Sequence, residues 1–502
     1  MYRAQSTVKG EHASMKLDEL LKVITITDRV NHLPSVSINA IQFNSKKIRP
    51  GDLFVAIKGF ATDGHQYIQQ AIDKGAVAVV GELPPTRLDV PYYQTPDSRK
   101  ALAHLASQYY GHPYQNHVMI GITGTNGKTT TAYLLKHMIE KAGKTCSLIG
   151  TVHNIINNER IQSKNTTPDP LELQALLAES RDEVVIMEVS SHGIAQQRVE
   201  GILFDYALFT NLGHDHLDYH DSLEEYFNVK SRLFKQLKKN GAAVIASHNE
   251  WGRKLKHQIE ATEHDVYTFG SDDRDDMKLI HVCTEYFPLI KLKQESLEYI
   301  FQIPLPGLHN VWNTIGALLT VSKMNLSLEK VIASLDKFPG VPGRFETYSH
   351  TSGATFIVDY AHTKDAIEYC YQTAKRENAE RIVHILGFRG NRDVTKRSEI
   401  VSLCSSVCDQ LILTFDDLNR VPEEKMISDL ERLKENDAKD NAIVIPDRTK
   451  AIEYAWKEAR AGDWVFVTGK GQETYKQKFQ LPASNDKETI QFLQQEQLAL
   501  PY

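Results

Sequence analysis

The string Gly121-Ile122-Thr123-Gly124-Thr125-Asn126-Gly127-Lys128-Thr129-Thr130-Thr131 reads as a buried strand, a tight turn and the start of a helix. The apolar run His117-Val118-Met119-Ile120 leads in. Leu135, Met138, Ile139 and Ala142 follow at i, i+3, i+4 and i+7, the core stripe of a helix that stops at Gly143. Gly124 and Gly127 permit backbone conformations and close approaches that a side chain would block. The N–H groups of the turn and of the helix N-terminus can then converge on phosphate oxygens. Lys128 offers a mobile cation for the terminal phosphates, and the Thr129 hydroxyl a ligand for Mg2+. The pattern G-x-x-x-x-G-K-[ST] is not met strictly, because its first glycine falls on Ile122. A plain glycine turn is the bland alternative, and the Lys-Thr-Thr that follows argues against it. The string predicts a nucleoside triphosphate site in an enzyme.

At 502 residues the chain is too long for one core, and about three domains are expected. With 41% hydrophobic and 24% charged residues it is an ordinary soluble globular composition. A net charge of −6 gives no reason to expect nucleic acid or an anionic membrane as partner. No apolar run approaches membrane-spanning length. The five cysteines are scattered and odd in number, so no disulfide framework is expected and a reducing cytoplasm fits. Cys404 and Cys408 lie one helical turn apart, without the further ligands a zinc site needs. Residues 1–14 have no apolar signal region and read as a disordered polar extension.

Three α/β blocks follow from the alternation of apolar runs with helical stripes. Block 15–113 carries strands at Leu53–Ile57 and Ala76–Val80, a helix over Ile68–Lys74, and an exit turn at Tyr110-Gly111-His112-Pro113. Block 114–341 opens with the phosphate loop. Its runs at Val184–Met187 and Ala207–Phe209 are continuous, as in parallel strands covered on both faces. A more polar stretch near 264–303 reads as an antiparallel insertion. Phe338-Pro339-Gly340-Val341-Pro342-Gly343 is a hinge candidate. Block 342–502 has strands near 356–358, 382–386, 410–413 and 464–467.

Polar residues just after such strands are where ligands gather. Glu188 ends the strand at Val184–Met187, where a carboxylate can serve Mg2+; a solvent-facing glutamate is the alternative. Thr210–His220 places three His and two Asp within seven residues. A dinuclear zinc hydrolase string differs from it by one inserted residue, which breaks the required spacing. One imidazole touching a Mg2+–phosphate assembly is the preferred reading. Lys230 falls on the apolar stripe of a helix over Ser222–Leu237. A buried ammonium must snorkel, pair with an anion or be modified, and CO2 uptake by a neutral lysine would give a carbamate able to bind Mg2+. Asn165-Thr166-Thr167-Pro168 is a polar turn before a helix near Pro170. Gly387–Asp393 and Gly469–Glu473 combine glycine flexibility with charge and could grip a zwitterionic or phosphorylated ligand.

Taken together, these strings resemble the Mur ligase superfamily, and most closely its MurE-type members, which add the third amino acid of the peptidoglycan stem peptide. The resemblance runs from Met15 almost to the end. It rests on GDLFVAIKG (51–59), GTNGKTT (124–130), NTTP (165–168), EVSSHGIAQQRV (188–199), TNLGHDHLDYH (210–220), GLHNVWN (307–313), VPGRFE (341–346), VDYAHT (358–363) and GKGQE (469–473). It implies a small α/β uridine-nucleotide domain, a phosphate-loop domain with a mostly parallel sheet, and a Rossmann-like C-terminal domain that takes the amino acid. It implies ATP as co-substrate, Mg2+, a carbamate on Lys230, and UDP-MurNAc-L-Ala-D-Glu and a free amino acid as substrates. A cytoplasmic monomer is expected.

By the same likeness Ser45 meets the uridine nucleotide, with Lys46 where the family has arginine. Thr166, Thr167, Ser190, Gln196 and Arg198 meet the sugar–peptide. Gly124, Thr125, Asn126, Gly127, Lys128, Thr129 and Thr130 hold ATP, with Asn310 and Asn313 near adenine and Arg344 toward the phosphates. Thr129, Glu188, His216 and Lys230 serve the metal. Arg392, Asp417, Arg420, Gly469 and Glu473 hold the amino acid. One departure stands out: the family members that use meso-diaminopimelate carry D-N-P-R where this chain has Asp417-Leu418-Asn419-Arg420. Leu418 lacks the asparagine's hydrogen bonds, which puts diaminopimelate in question and leaves lysine or another amino acid open. A paralogue with another acceptor, a non-catalytic precursor sensor and a metal-dependent hydrolase are the competing readings.

Overall fold

The structure, a computed structural model, describes residues 14–31, 36–59, 62–84, 88–283, 287–391, 394–438 and 440–499. Three main sheets follow one another along the chain. In the first, Asp28–Val30, Tyr92–Gln94, Ala76–Gly81, Asp52–Val55 and Ile41–Gln42 lie side by side, parallel except for the first pair. The apolar runs that predicted two of these strands are their buried cores: Leu53, Val55, Ala78 and Val80 pack on Leu102 and Leu105 of the helix Ser98–Tyr109.

The middle sheet has eleven strands. Seven run parallel, from Cys146–Ile149 through Val184–Glu188, Val118–Thr123, Phe204–Phe209, Leu237–Ala246 and Asp265–Gly270 to Met277–Cys283. The two central strands, Val118–Thr123 and Val184–Glu188, are buried almost throughout, which is why they read as continuous apolar runs. The stretch near 264–303 is antiparallel only in its second part. Its first two strands extend the parallel sheet, and only Leu289–Gln294 and Leu297–Gln302 turn back antiparallel. Polarity there reflects edge strands with one exposed face.

The third sheet orders Glu346–Ser349, Thr355–Val358, Asp463–Thr468, Arg381–Phe388, Gln410–Phe415 and Ala442–Val444, parallel after the first pair. Helices cover both faces of the middle and third sheets, so the C-terminal ends of their strands are the free ends where loops can face one another. The helix carrying Lys230 is shorter than its stripe suggested. It spans Leu223–Ser231, tightens into a 3-10 turn over Arg232–Gln236, and passes directly into a strand.

Candidate active site

The turn after Val118–Thr123 runs straight into the helix Lys128–Lys141. Gly124 (φ 148°) and Gly127 (φ 86°) both have the positive φ expected of them, and a Cβ at either would collide with Thr210 or Asn313. Asn211 fastens the turn: its backbone carbonyl accepts from Thr125 N (3.0 Å) and its side-chain oxygen from Asn126 N (2.9 Å). The first-turn N–H groups at Lys128, Thr129 and Thr130 have no earlier carbonyl within the helix to bond. Thr125 through Thr129 line a cleft of about 1250 Å3 between the middle and third domains. Lys128 Nζ curls back over the turn to the carbonyls of Gly124 (2.8 Å) and Thr125 (2.9 Å), and burial lowers its pKa.

Glu188 does not face solvent. It is fully buried and receives Thr129 Oγ1 (2.8 Å), Thr151 N (2.9 Å) and Thr151 Oγ1 (2.9 Å). Thr151 was not a sequence candidate. It follows the strand Cys146–Ile149, so the strand-end rule that selected Glu188 could have found it.

Lys230 is buried, with Nζ 2.9 Å from the Gly124 carbonyl and 4.4 Å from the centre of the Tyr226 ring. Burial and then the neighbouring Lys128 cation press its pKa well below the usual lysine range, which favours the neutral amine. Snorkelling is therefore not the outcome. Burial also pushes the His216 imidazole down to about 3, against the pull of Asp215. His192, His216, Tyr219 and His220 pack ring against ring, edge-on or tilted. Among the described residues no group of three His, Cys, Asp or Glu forms a metal cage, so the zinc-hydrolase string is not assembled.

Other candidates divide between lining and bracing. Thr166, Ser190 and Arg198 line the cleft. Thr167 is fully buried and braces the wall through the Glu188 carbonyl and Ser190 N, while Gln196 holds the Arg198 guanidinium, which also bonds the Thr167 carbonyl. Ser45 lies in the first domain on Gln70 (2.6 Å), outside this cleft. Asn310 and Asn313 bond each other (3.1 Å). Asn313 lines a cavity of about 120 Å3 behind the turn, together with His309, Trp312 and His248, whose ring stacks on Trp312.

The third domain forms the opposite wall. Arg344 reaches Thr129 Oγ1 (3.4 Å) and lies over the Tyr360 ring (4.4 Å). Tyr360 donates to Glu473 Oε1 (2.9 Å). Arg389 donates through Nε to Asp416 (2.9 Å) and through Nη2 to Glu473. Burial alone would lower the guanidinium's pKa, but Tyr360, Asp416 and Glu473 hold it charged. Lys470 bonds both Asp416 (3.1 Å) and Asp417 (2.8 Å). Gly469 and Glu473 line the cleft, as expected of that loop. Arg420 does not: it is exposed, at φ 73°, and outside the cleft lining, because the chain has turned away by Asn419. Asp417 is buried beneath the lining, and Arg392 lies outside the described residues.

A strand–turn–helix phosphate cradle facing a wall of ion-paired arginine, lysine and carboxylate groups on a second α/β domain is the layout of a nucleotide-dependent enzyme. Three stretches match the Mur ligase family's domains: residues 37–110 its catalytic domain, 122–321 its middle domain and 343–471 its glutamate ligase domain. The chain belongs to the Mur ligase family. A UDP-N-acetylmuramoyl-L-alanyl-D-glutamate–2,6-diaminopimelate ligase of Alkaliphilus metalliredigens is 35% identical over 472 residues, covering 92% of this chain and 94% of that protein. The enzyme of that name from Clostridium botulinum is 38% identical over 454 residues, covering 87% and 91%. A solved structure of such a ligase superposes with TM-score 0.67 at 25% identity, covering 97% of this chain and 100% of the other.

Proposed function

We propose that the chain is the ATP-dependent ligase that joins an amino acid to the D-glutamate of UDP-N-acetylmuramoyl-L-alanyl-D-glutamate. The observation that carries this reading is the convergence of Lys128, Thr129 and Glu188 beside the buried Lys230 amine, with Arg344 and the ion-paired loops of the third domain facing them. A carboxylate oxygen cannot be displaced by an amine directly. ATP therefore transfers its γ-phosphoryl group to it, giving an acyl phosphate and ADP. The free amine of the incoming amino acid then attacks the carbonyl carbon, the C–O bond to phosphate breaks, and the amine's proton is lost as the amide forms.

Lys128 and Arg344 are the cations that hold the phosphates, with the 124–127 turn beneath them. The cavity beside Asn313 takes the adenine base, with Asn310 behind it, and Ser45 in the first domain meets the uridine nucleotide. Thr166, Ser190 and Arg198 face the sugar–peptide from the cleft wall, with Thr167 and Gln196 bracing them.

The donor set fits Mg2+, because the Thr129 hydroxyl and the Glu188 carboxylate are hard oxygens 2.8 Å apart at the foot of the phosphate turn. When bound, the ion neutralises charge on the transferring phosphoryl group. The Lys230 amine, in its uncharged form, can take up CO2 and release a proton, giving a carbamate whose oxygens would serve the metal beside Lys128. The neutral His216 imidazole completes that edge of the site. The relatives' names carry a uridine-diphosphate-linked precursor, a charged and water-soluble substrate, which supports a cytoplasmic reaction.

The direct test is ADP release from the purified chain with UDP-MurNAc-dipeptide and a panel of amino acids. Dependence on both the dipeptide precursor and one amino acid is expected. ADP release that ignores the precursor, or none at all with any amino acid, sinks the reading.

A further inference from the structure

The short helix Ser191–Ala195 ends in a turn that glycine usually closes. Gln197 N–H donates to the Ile194 carbonyl (2.9 Å) and Arg198 N–H to the Gly193 carbonyl (2.8 Å), with Gln197 itself left-handed at φ 56°. A side chain there is strained where glycine would be at ease. Its neighbours serve the cleft: Ser190 and Arg198 line the wall, and Gln196 holds the Arg198 guanidinium. Gln197 is outside that lining. Its side-chain amide crosses instead to the first domain and donates to Asp97 Oδ2.

Asp97 is tied into the frame of the first domain. Its other oxygen, Oδ1, caps the helix Ser98–Tyr109 through Lys100 N (2.9 Å). Ser98 beside it donates from N (2.9 Å) and Oγ (2.7 Å) to Glu82 Oε1, just past the strand Ala76–Gly81. Asp97 follows the strand Tyr92–Gln94 and Ser45 follows Ile41–Gln42. Both therefore leave the C-terminal end of the same parallel strands, the end at which ligands gather. Near the far end of the helix, Ser107 Oγ donates to the Gly201 carbonyl (3.2 Å), and a Cβ on Gly201 would come within 3.3 Å of His104 Nδ1. One segment of the middle domain, 197–201, thus grips this helix near both ends.

The precursor of the ligase reading carries a nucleotide at one end and the carboxylate to be activated at the other. It has to reach the first domain and the cleft together. Once one end is held, the second engagement is intramolecular, and its strength depends on how well the span between the seats is fixed. We infer that Gln197 is a positioning residue for that precursor: its bridge to Asp97 fixes the span between the nucleotide seat of the first domain and the cleft. This deepens the ligase reading and rests on it. Gln197 acts through the Asp97 carboxylate and not by touching substrate, and the bridge accounts for a glutamine where glycine would relieve the backbone.

Gln197→Gly is the informative variant, because glycine suits φ 56° and only the bridge is lost. Its melting temperature should equal that of wild type or rise. In calorimetry UDP alone, which engages only the first-domain seat, should bind both proteins equally, while UDP-MurNAc-L-Ala-D-Glu should bind the variant about tenfold more weakly. In ADP-release assays KM for the precursor should rise by a similar factor, with kcat and the KM values for ATP and amino acid within about twofold. Gln197→Glu sets a carboxylate against Asp97 and should weaken precursor binding at least as much. Adding Asp97→Asn, whose amide can donate to that glutamate while Oδ1 keeps the helix cap, should restore most of it. Equal precursor affinity in wild type and Gln197→Gly overturns the inference. So does a parallel loss of UDP affinity, or a wild-type chain that binds the precursor no tighter than UDP. If no amino acid supports ADP release, the ligase reading has failed separately, and the two affinities still decide the role of Gln197.

Discussion

Lys230 shows how much one residue's position can say. An ammonium on the core stripe of a short helix, hydrogen-bonded to a single carbonyl and beside Lys128, is an unfavourable arrangement unless the charge is removed or reversed. Lys230→Ala should therefore lower ligase activity by roughly a hundredfold or more, with no recovery in high bicarbonate. Wild-type enzyme stripped of CO2 should recover when bicarbonate is returned; an unchanged variant refutes a metal-side role. Thr151 is the complementary case, a neutral residue whose hydroxyl and N–H both serve the Glu188 carboxylate. Thr151→Val removes one donor from a buried anion that has few others. The expected outcome is about a tenfold rise in the Mg2+ concentration needed for half-maximal activity, with a smaller change in melting temperature. Equal Mg2+ dependence in the two proteins would mean that Thr151 only packs there.

At the scale of the element, the phosphate turn is a close fit between three segments. Gly124 sits against Thr210, and Gly127 against Asn313 on the helix Leu308–Lys323. Gly127→Ala combines a positive φ with a collision, so a loss of about 1–3 kcal/mol of stability is expected, read as a lower midpoint in urea. Nucleotide affinity should fall with it, because the turn cannot keep its path while Asn313 moves aside; an unchanged midpoint would show that the turn has slack. These elements were legible because each carries its own signal: glycine where φ is positive, an apolar run where a strand is covered on both faces, a 3.6-residue stripe where a helix meets the core. The reading failed where that local signal was shared. Polar residues near 264–303 suggested an antiparallel insertion; the last two strands there do pair antiparallel, but Asp265–Gly270 and Met277–Cys283 continue the parallel sheet, because edge strands with one face in water are polar whichever way they run.

At the scale of the molecule, the middle and third domains are held together by a few polar contacts around Asp215. Its buried carboxylate takes Lys396 (3.0 Å) and His362 (3.4 Å) from the third domain, while Tyr369 of that domain packs edge-on against His309 of the middle one (3.9 Å between ring centres). Closing these domains excludes the water that would hydrolyse an acyl phosphate. Lys396→Ala should thus raise the radius of gyration measured by X-ray scattering with nucleotide bound. It should also increase ADP formed per amide made, a sign of water reaching the intermediate; an identical scattering profile and unchanged coupling would remove Lys396 from closure. What the amino-acid order determined by itself was the phosphate turn, the covered strands on either side of it, Glu188 at a strand end and the anomaly of Lys230, because each rests on residues close in sequence. The tertiary structure alone decided that Thr151 clasps Glu188, that Glu473 clasps Arg389, and that Lys396 reaches Asp215 across two domains. Those pairs join residues 37, 84 and 181 positions apart, and only packing brings such residues into reach.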